Sequence, residues 1–100
     1  MLPNTITILG YVVTVLEVEN LKNEDNQADL GEWDFNNLTI LVEKNQPQEL
    51  KLSSFIHEIL EAINNILMLD LTHEQIQRLE NALYQLIKYN DMQSMRKTDV

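Results

Sequence analysis

The chain of 100 residues has no cysteine, which excludes disulfide frameworks, thiolate nucleophiles and cysteine-ligated zinc. Glycine occurs only at positions 10 and 31, too few and too far apart for a phosphate-cradling loop. Positive charge is scarce: seven Lys and Arg stand against sixteen Asp and Glu, a formal net charge of −9. A surface of that sign repels a phosphate backbone, so no nucleic-acid partner is expected. No apolar run approaches the roughly 20 residues that a membrane span needs, and the first residues lack the basic start of a signal peptide. A soluble, cytoplasmic protein with no membrane partner is the expectation.

What is present suits one small folded domain. The composition is 44% hydrophobic and 23% charged, which is ordinary globular material. A chain of this length buries a thin core, so two layers of secondary structure are expected. Charge is uneven along it: residues 1–50 hold nine acids and two bases, residues 51–100 seven and five.

Periodicity changes near the middle. Thr5 to Val18 (TITILGYVVTVLEV) is rich in β-branched residues. Ile6 and Ile8 share a face, then the apolar set shifts to Tyr11, Val13 and Val15, a change of parity that a bulge at Gly10 would produce. Glu19 to Asp29 reads as a polar surface connection. Strands are expected near residues 30–35 and 38–43, the second with Leu38, Ile40 and Val42 on one face. After Pro47, which a first helical turn tolerates, apolar residues recur at 52, 55, 56, 59, 60, 63, 66 and 67. That spacing predicts a helix near 48–66 with its apolar stripe centred on Ile59 and Ile63. Thr72 with Gln75 is a capping-box pattern and opens a second helix near 72–90, with Ile76, Leu79, Leu83, Leu86 and Ile87 as its stripe. The order predicts an α+β domain: a small antiparallel sheet of about three strands followed by two packed helices.

The chemistry-bearing residues lie in the helical half. His57 and Glu61, in FIHEILE, are four residues apart and so project from one helix face, about 6 Å apart along the axis. Glu58 is turned about 100° from His57. In the H-E-x-x-H pattern of metal hydrolases, residues in the positions of His57 and Glu61 hold zinc, and one in the position of Glu58 deprotonates the water. A carboxylate is an acceptable zinc ligand. Both groups lie far round the helix from its apolar stripe, so they face a cleft or bulk water. A polar pattern this short is also what an ordinary solvated helix face carries.

His73, in the first turn of the second helix, would complete a His₂Glu set with one coordination position left for water. Geometry imposes a condition. A first helix running on to Met68 would start His73 about 10 Å below Glu61, too far to share a metal. An ending near Asn64–Asn65 would let the next six residues climb back, because six extended residues reach roughly 20 Å. Ile66 and Leu67 continue the stripe and argue for the longer helix. Glu74 and Glu80 are spare carboxylates should His73 point elsewhere. Ser53 and Ser54 read as polar positions of the early helix, and Trp33, Phe35 and Phe55 as core.

Residues 40–86 resemble small phage-encoded metallopeptidase-like proteins, minimal relatives of the ImmA/IrrE zincin class. Members of that group carry a helix of the form T-L-x-H-E-I-I-H/E-A-I, then L-x-L-S/T-H/E-E-Q-I, then L-x-x-A-L-Y. Here the corresponding stretches are SFIHEILEAI (residues 54–63), LDLTHEQI (residues 69–76) and Leu79 with Ala82, Leu83 and Tyr84. The strand Ile6–Val15 and the Gly31-Glu32-Trp33-Asp34 segment also fit the group. Relatives with H-E-x-x-H tend to carry an acid at the next helix, whereas this chain has Glu61 and then His73, preserving two histidines and one carboxylate.

The resemblance implies a single zincin-like minidomain over residues 1–90 with a flexible tail over 91–100. It further implies a zinc metallohydrolase of phage or prophage origin acting on a peptide or protein in the host cytoplasm. The expected assignments are His57, Glu61 and His73 as metal ligands, zinc as cofactor and Glu58 as general base. The competing expectation is a non-catalytic acidic accessory protein that binds a protein partner through its sheet half or a helix face.

Overall fold

The computed structural model describes residues 2–90; the expected tail over 91–100 lies outside them. Four strands, β1 (Thr5–Ile8), β2 (Tyr11–Val18), β3 (Gly31–Asp34) and β4 (Thr39–Glu43), precede two helices, α1 (Gln48–Leu67) and α2 (His73–Tyr89). The fold is α+β, as the change of period implied, but the sheet is mixed and four-stranded, in the order β1-β2-β4-β3.

Two features account for the difference. The parity change at Gly10 marks a hairpin and not a bulge: Ile8 pairs with Tyr11, and Leu9 (φ 50°) and Gly10 (φ 87°) both take positive φ. That is the signature of a two-residue type I′ turn, which sets the residues on either side of it on one face. The predicted single strand is therefore two. Secondly, β2 and β4 pair in parallel, Thr14 opposite Thr39 through Val18 opposite Glu43. A parallel pair needs a crossover of a dozen or more residues, and the stretch from Glu19 to Leu38 supplies it. That stretch carries β3 out to the far edge, where it pairs antiparallel with β4.

The crossover is anchored. Leu21 is buried and its N–H donates to Glu43 Oε1 at 2.7 Å. Asn23 Oδ1 accepts from the N–H groups of Asp25 and Gln27, and Asp29 N–H donates to the Leu21 carbonyl. These bonds fold the acidic segment onto itself and set Asp29 and Leu30 beside α1.

Three layers result where two were expected. The sheet packs on one face of α1 through Ile8, Val13, Val15, Ile40, Val42, Phe55 and Ala62. A neighbouring face of α1 meets α2 through Ile56, Leu60 and Ile76. The broad apolar stripe of α1 thus serves two interfaces. Its buried apolar positions are Phe55, Ile56, Leu60 and Ala62, while Ile59 and Ile63, the expected centre, are only partly buried. Among the aromatics read as core, Phe55 is buried and Trp33 is partly so, donating Nε1–H to Asn65 Oδ1 at 3.1 Å. Phe35 is exposed, because it lies just beyond the end of β3. The open face of the sheet leaves Val12 and Leu16 exposed.

Candidate metal centre

The α1–α2 connection decides whether the chain can assemble a site. α1 runs to Leu67, the longer of the two endings, and closes with Met68 in the left-handed conformation (φ 52°). Leu69 N–H donates to the Asn64 carbonyl at 3.1 Å, and Leu71 N–H to Asn64 Oδ1 at 2.9 Å. By Leu71 the chain has therefore returned to the level of Asn64, one turn beyond Glu61. The condition that a long first helix keeps His73 from Glu61 does not hold, because the five residues from Met68 to Thr72 make the climb. α2 then begins at the Thr72–Gln75 capping box: Gln75 N–H donates to Thr72 Oγ1 at 3.1 Å, and Thr72 N–H to Gln75 Oε1 at 2.9 Å. A box of this kind satisfies two of the free N–H groups of a helix start and fixes the position of His73.

Each expected ligand can then be located. Glu61 Oε2 lies 3.3 Å from His57 Nε2. The rings of His57 and His73 stand 5.4 Å apart, centroid to centroid. His57, Glu61 and His73 each offer a ligand atom within 4.8 Å of the others. Donor atoms 2.0–2.2 Å from a tetrahedral zinc are about 3.3–3.6 Å apart. The His57–Glu61 pair stands at that spacing, and His73, exposed in the first turn of α2, offers a ring nitrogen within 4.8 Å of both. Two imidazoles and a carboxylate are a donor set that zinc accepts. The residues present fit the metal.

Glu58 occupies a different environment from the other three. It is buried, 7% exposed, on the sheet side of α1, where it abuts Gly31 of β3. A Cβ built on Gly31 would stand 2.8 Å from Glu58 Oε2 and 2.9 Å from its Cγ, so only glycine leaves room for this carboxyl. Its pKa is pushed up to about 8, first by burial and then by the negative charges of Glu61, Asp29, Glu32 and Glu80. The carboxyl opens onto a cavity of about 360 Å³ bounded by Asp29, Leu30, Gly31, Ser53, His57 and Glu80. Glu61 and His73 lie outside this cavity, and His57 and Glu58 link the two.

Sequence reasoning missed the arrangement behind His57. Glu80, read as one of two further carboxylates, is buried, and its Oε1 lies 2.7 Å from His57 Nδ1. The hydroxyl of Ser53, read as a mere polar position, donates to Glu80 Oε2. Glu80 interrupts the apolar stripe of α2 one turn after Ile76, and an acid in that position is the signal that could have found it. Glu74 is not part of the cluster; it pairs on the surface with Arg78 at 2.5 Å.

Comparison with family models, curated proteins and solved structures gives no match for this chain.

Proposed function

We propose that this protein is a small zinc-dependent hydrolase of the peptidase type, with His57, Glu61 and His73 holding the metal and Glu58 acting as general base. The observation that carries this reading is the approach of two histidines and a carboxylate from two helices to within 4.8 Å of one another, with the buried carboxyl of Glu58 directly after His57 in sequence. Zinc, when bound, supplies Lewis acidity that polarises a carbonyl and makes water a nucleophile near neutral pH.

The chain's own residues supply the rest. Glu58 Oε2, beside Gly31 at the cavity wall, takes a proton from the attacking water and returns it to the leaving amine. At neutral pH the metal-free carboxyl holds its proton, so Glu58 becomes a competent base only when positive charge nearby offsets its acidic neighbours. Burial on the sheet side keeps the carboxyl away from bulk water. No helix of the described residues is long and apolar enough to cross a membrane. The reading assigns the protein to the cytoplasm of a host cell, acting on a peptide or protein; phage origin rests on the sequence resemblance alone.

A second reading, a non-catalytic module that binds a protein partner, is favoured by the exposed Val12 and Leu16 on the open sheet face. Incubating the zinc-supplemented protein with a quenched-fluorescent peptide library separates the two. Cleavage that is lost in Glu58→Gln while zinc remains bound supports the hydrolase. Stoichiometric zinc with no cleavage of any library member favours the module.

A further inference from the structure

We infer that Glu80 is a positioning residue: anchored by Ser53, its carboxylate holds the proton of His57 on Nδ1 and thereby turns the Nε2 lone pair toward Glu61 and His73. The inference rests on the metal-site reading above for its purpose, but not for its geometry.

Four observations lead to it. Glu80 is 7% exposed, although α2 is otherwise buried only at Ile76. A buried carboxylate is costly unless its oxygens are engaged, and both of these are. One accepts the Ser53 hydroxyl and the other faces His57 Nδ1 at 2.7 Å. A carboxylate can only accept, so the short contact requires Nδ1 to be the donor.

With one proton held there, Nε2 is the ring nitrogen left to meet a metal. Nε2 faces Glu61 Oε2 at 3.3 Å, a contact that a proton on Nε2 or a metal ion in its place makes favourable. On packing grounds a leucine would suit this buried position, one turn after Ile76 on the same helix. The acid is accounted for by what it does to the ring. A carboxylate behind a metal-binding histidine fixes tautomer and orientation, and its loss commonly weakens metal binding by 10–100-fold.

The test reads the ring before it reads the metal. Long-range ¹H–¹⁵N spectra of the metal-free protein should show a proton on His57 Nδ1. Glu80→Gln, whose amide can donate to Nδ1, should take the proton off Nδ1 and leave the His73 signals in place. By calorimetry, zinc should bind the Glu80→Gln variant about 10–100-fold more weakly than the parent. Ser53→Ala, which leaves the carboxylate in place without its anchor, should weaken zinc in the same direction by less.

A His57 ring protonated on Nε2 alone in the parent overturns the inference. So does a Glu80→Gln variant with unchanged tautomer and unchanged zinc affinity. Should Glu80→Gln fail to fold, the parent spectrum and Ser53→Ala decide. A parent that binds no zinc yet keeps the Nδ1 proton, with Glu80→Gln releasing it, refutes the metal reading and upholds the role of Glu80.

Discussion

Replacing Glu58 by glutamine should make the metal-free protein more stable in mild alkali. Glu58 has its carboxyl pushed from 4.5 up to about 8, first by burial and then by four acidic neighbours. Between those two values the folded chain holds a proton that the unfolded chain has released. Stability therefore falls as pH rises through that window and levels off above it. Each pKa unit corresponds to about 1.4 kcal/mol, so the loss amounts to about 3–5 kcal/mol, a large part of the 5–15 kcal/mol typical of a domain. Glutamine keeps the shape and cannot ionise. Urea melts of both proteins in chelator at pH 5 and pH 8.5 isolate this group, since every other acid is common to both. Glu58→Gln should lie within about 1 kcal/mol of the parent at pH 5 and exceed it by about 3–5 kcal/mol at pH 8.5. Equal stabilities at pH 8.5, or a parent that gains on Glu58→Gln as pH rises, would refute the claim that Glu58 is ionised at a cost.

Other consequences follow from packing. Gly31→Ala sets a Cβ against the Glu58 carboxyl and should cost about 1–3 kcal/mol. Combined with Glu58→Ala it should cost far less, a coupling that a double-mutant cycle of denaturant melts would show as strongly non-additive. Ile76, 1% exposed in the α1–α2 interface, should lose about 2–5 kcal/mol on truncation to alanine. Leu86→Ala, at an exposed position of the same helix, should lose well under 1 kcal/mol. Similar losses for both would mean that α2 packs by another face.

The helices were legible in the sequence because their signals are local. The apolar series from Leu52 to Leu67 and the Thr72–Gln75 box depend on residues within a turn or two of each other, and α1 and α2 follow them closely. The i, i+4 relation of His57 and Glu61 is local in the same sense. What could not be read depends on contacts distant in sequence. A bulge and a type I′ turn both shift parity at Gly10, and only the pairing of Ile8 with Tyr11 separates them. Parallel pairing of β2 with β4 leaves no mark on either strand's own pattern. The approach of His73 to Glu61 depends on the Asn64 side chain holding the Leu71 N–H, and nothing in the spacing of Asn64 and Leu71 announces that bond. Glu80 was misjudged for a related reason: its partners Ser53 and His57 lie on the other helix.

The central claim is that His57, Glu61 and His73 hold one metal ion. X-ray absorption at the zinc edge, on the chain loaded with one equivalent of zinc, tests it most directly. The account predicts two imidazole nitrogens and oxygen donors at about 2.0–2.2 Å, with one imidazole lost from the spectrum in His73→Ala. A zinc ion with a single imidazole in the parent chain, or a spectrum that His73→Ala leaves unchanged, would contradict it.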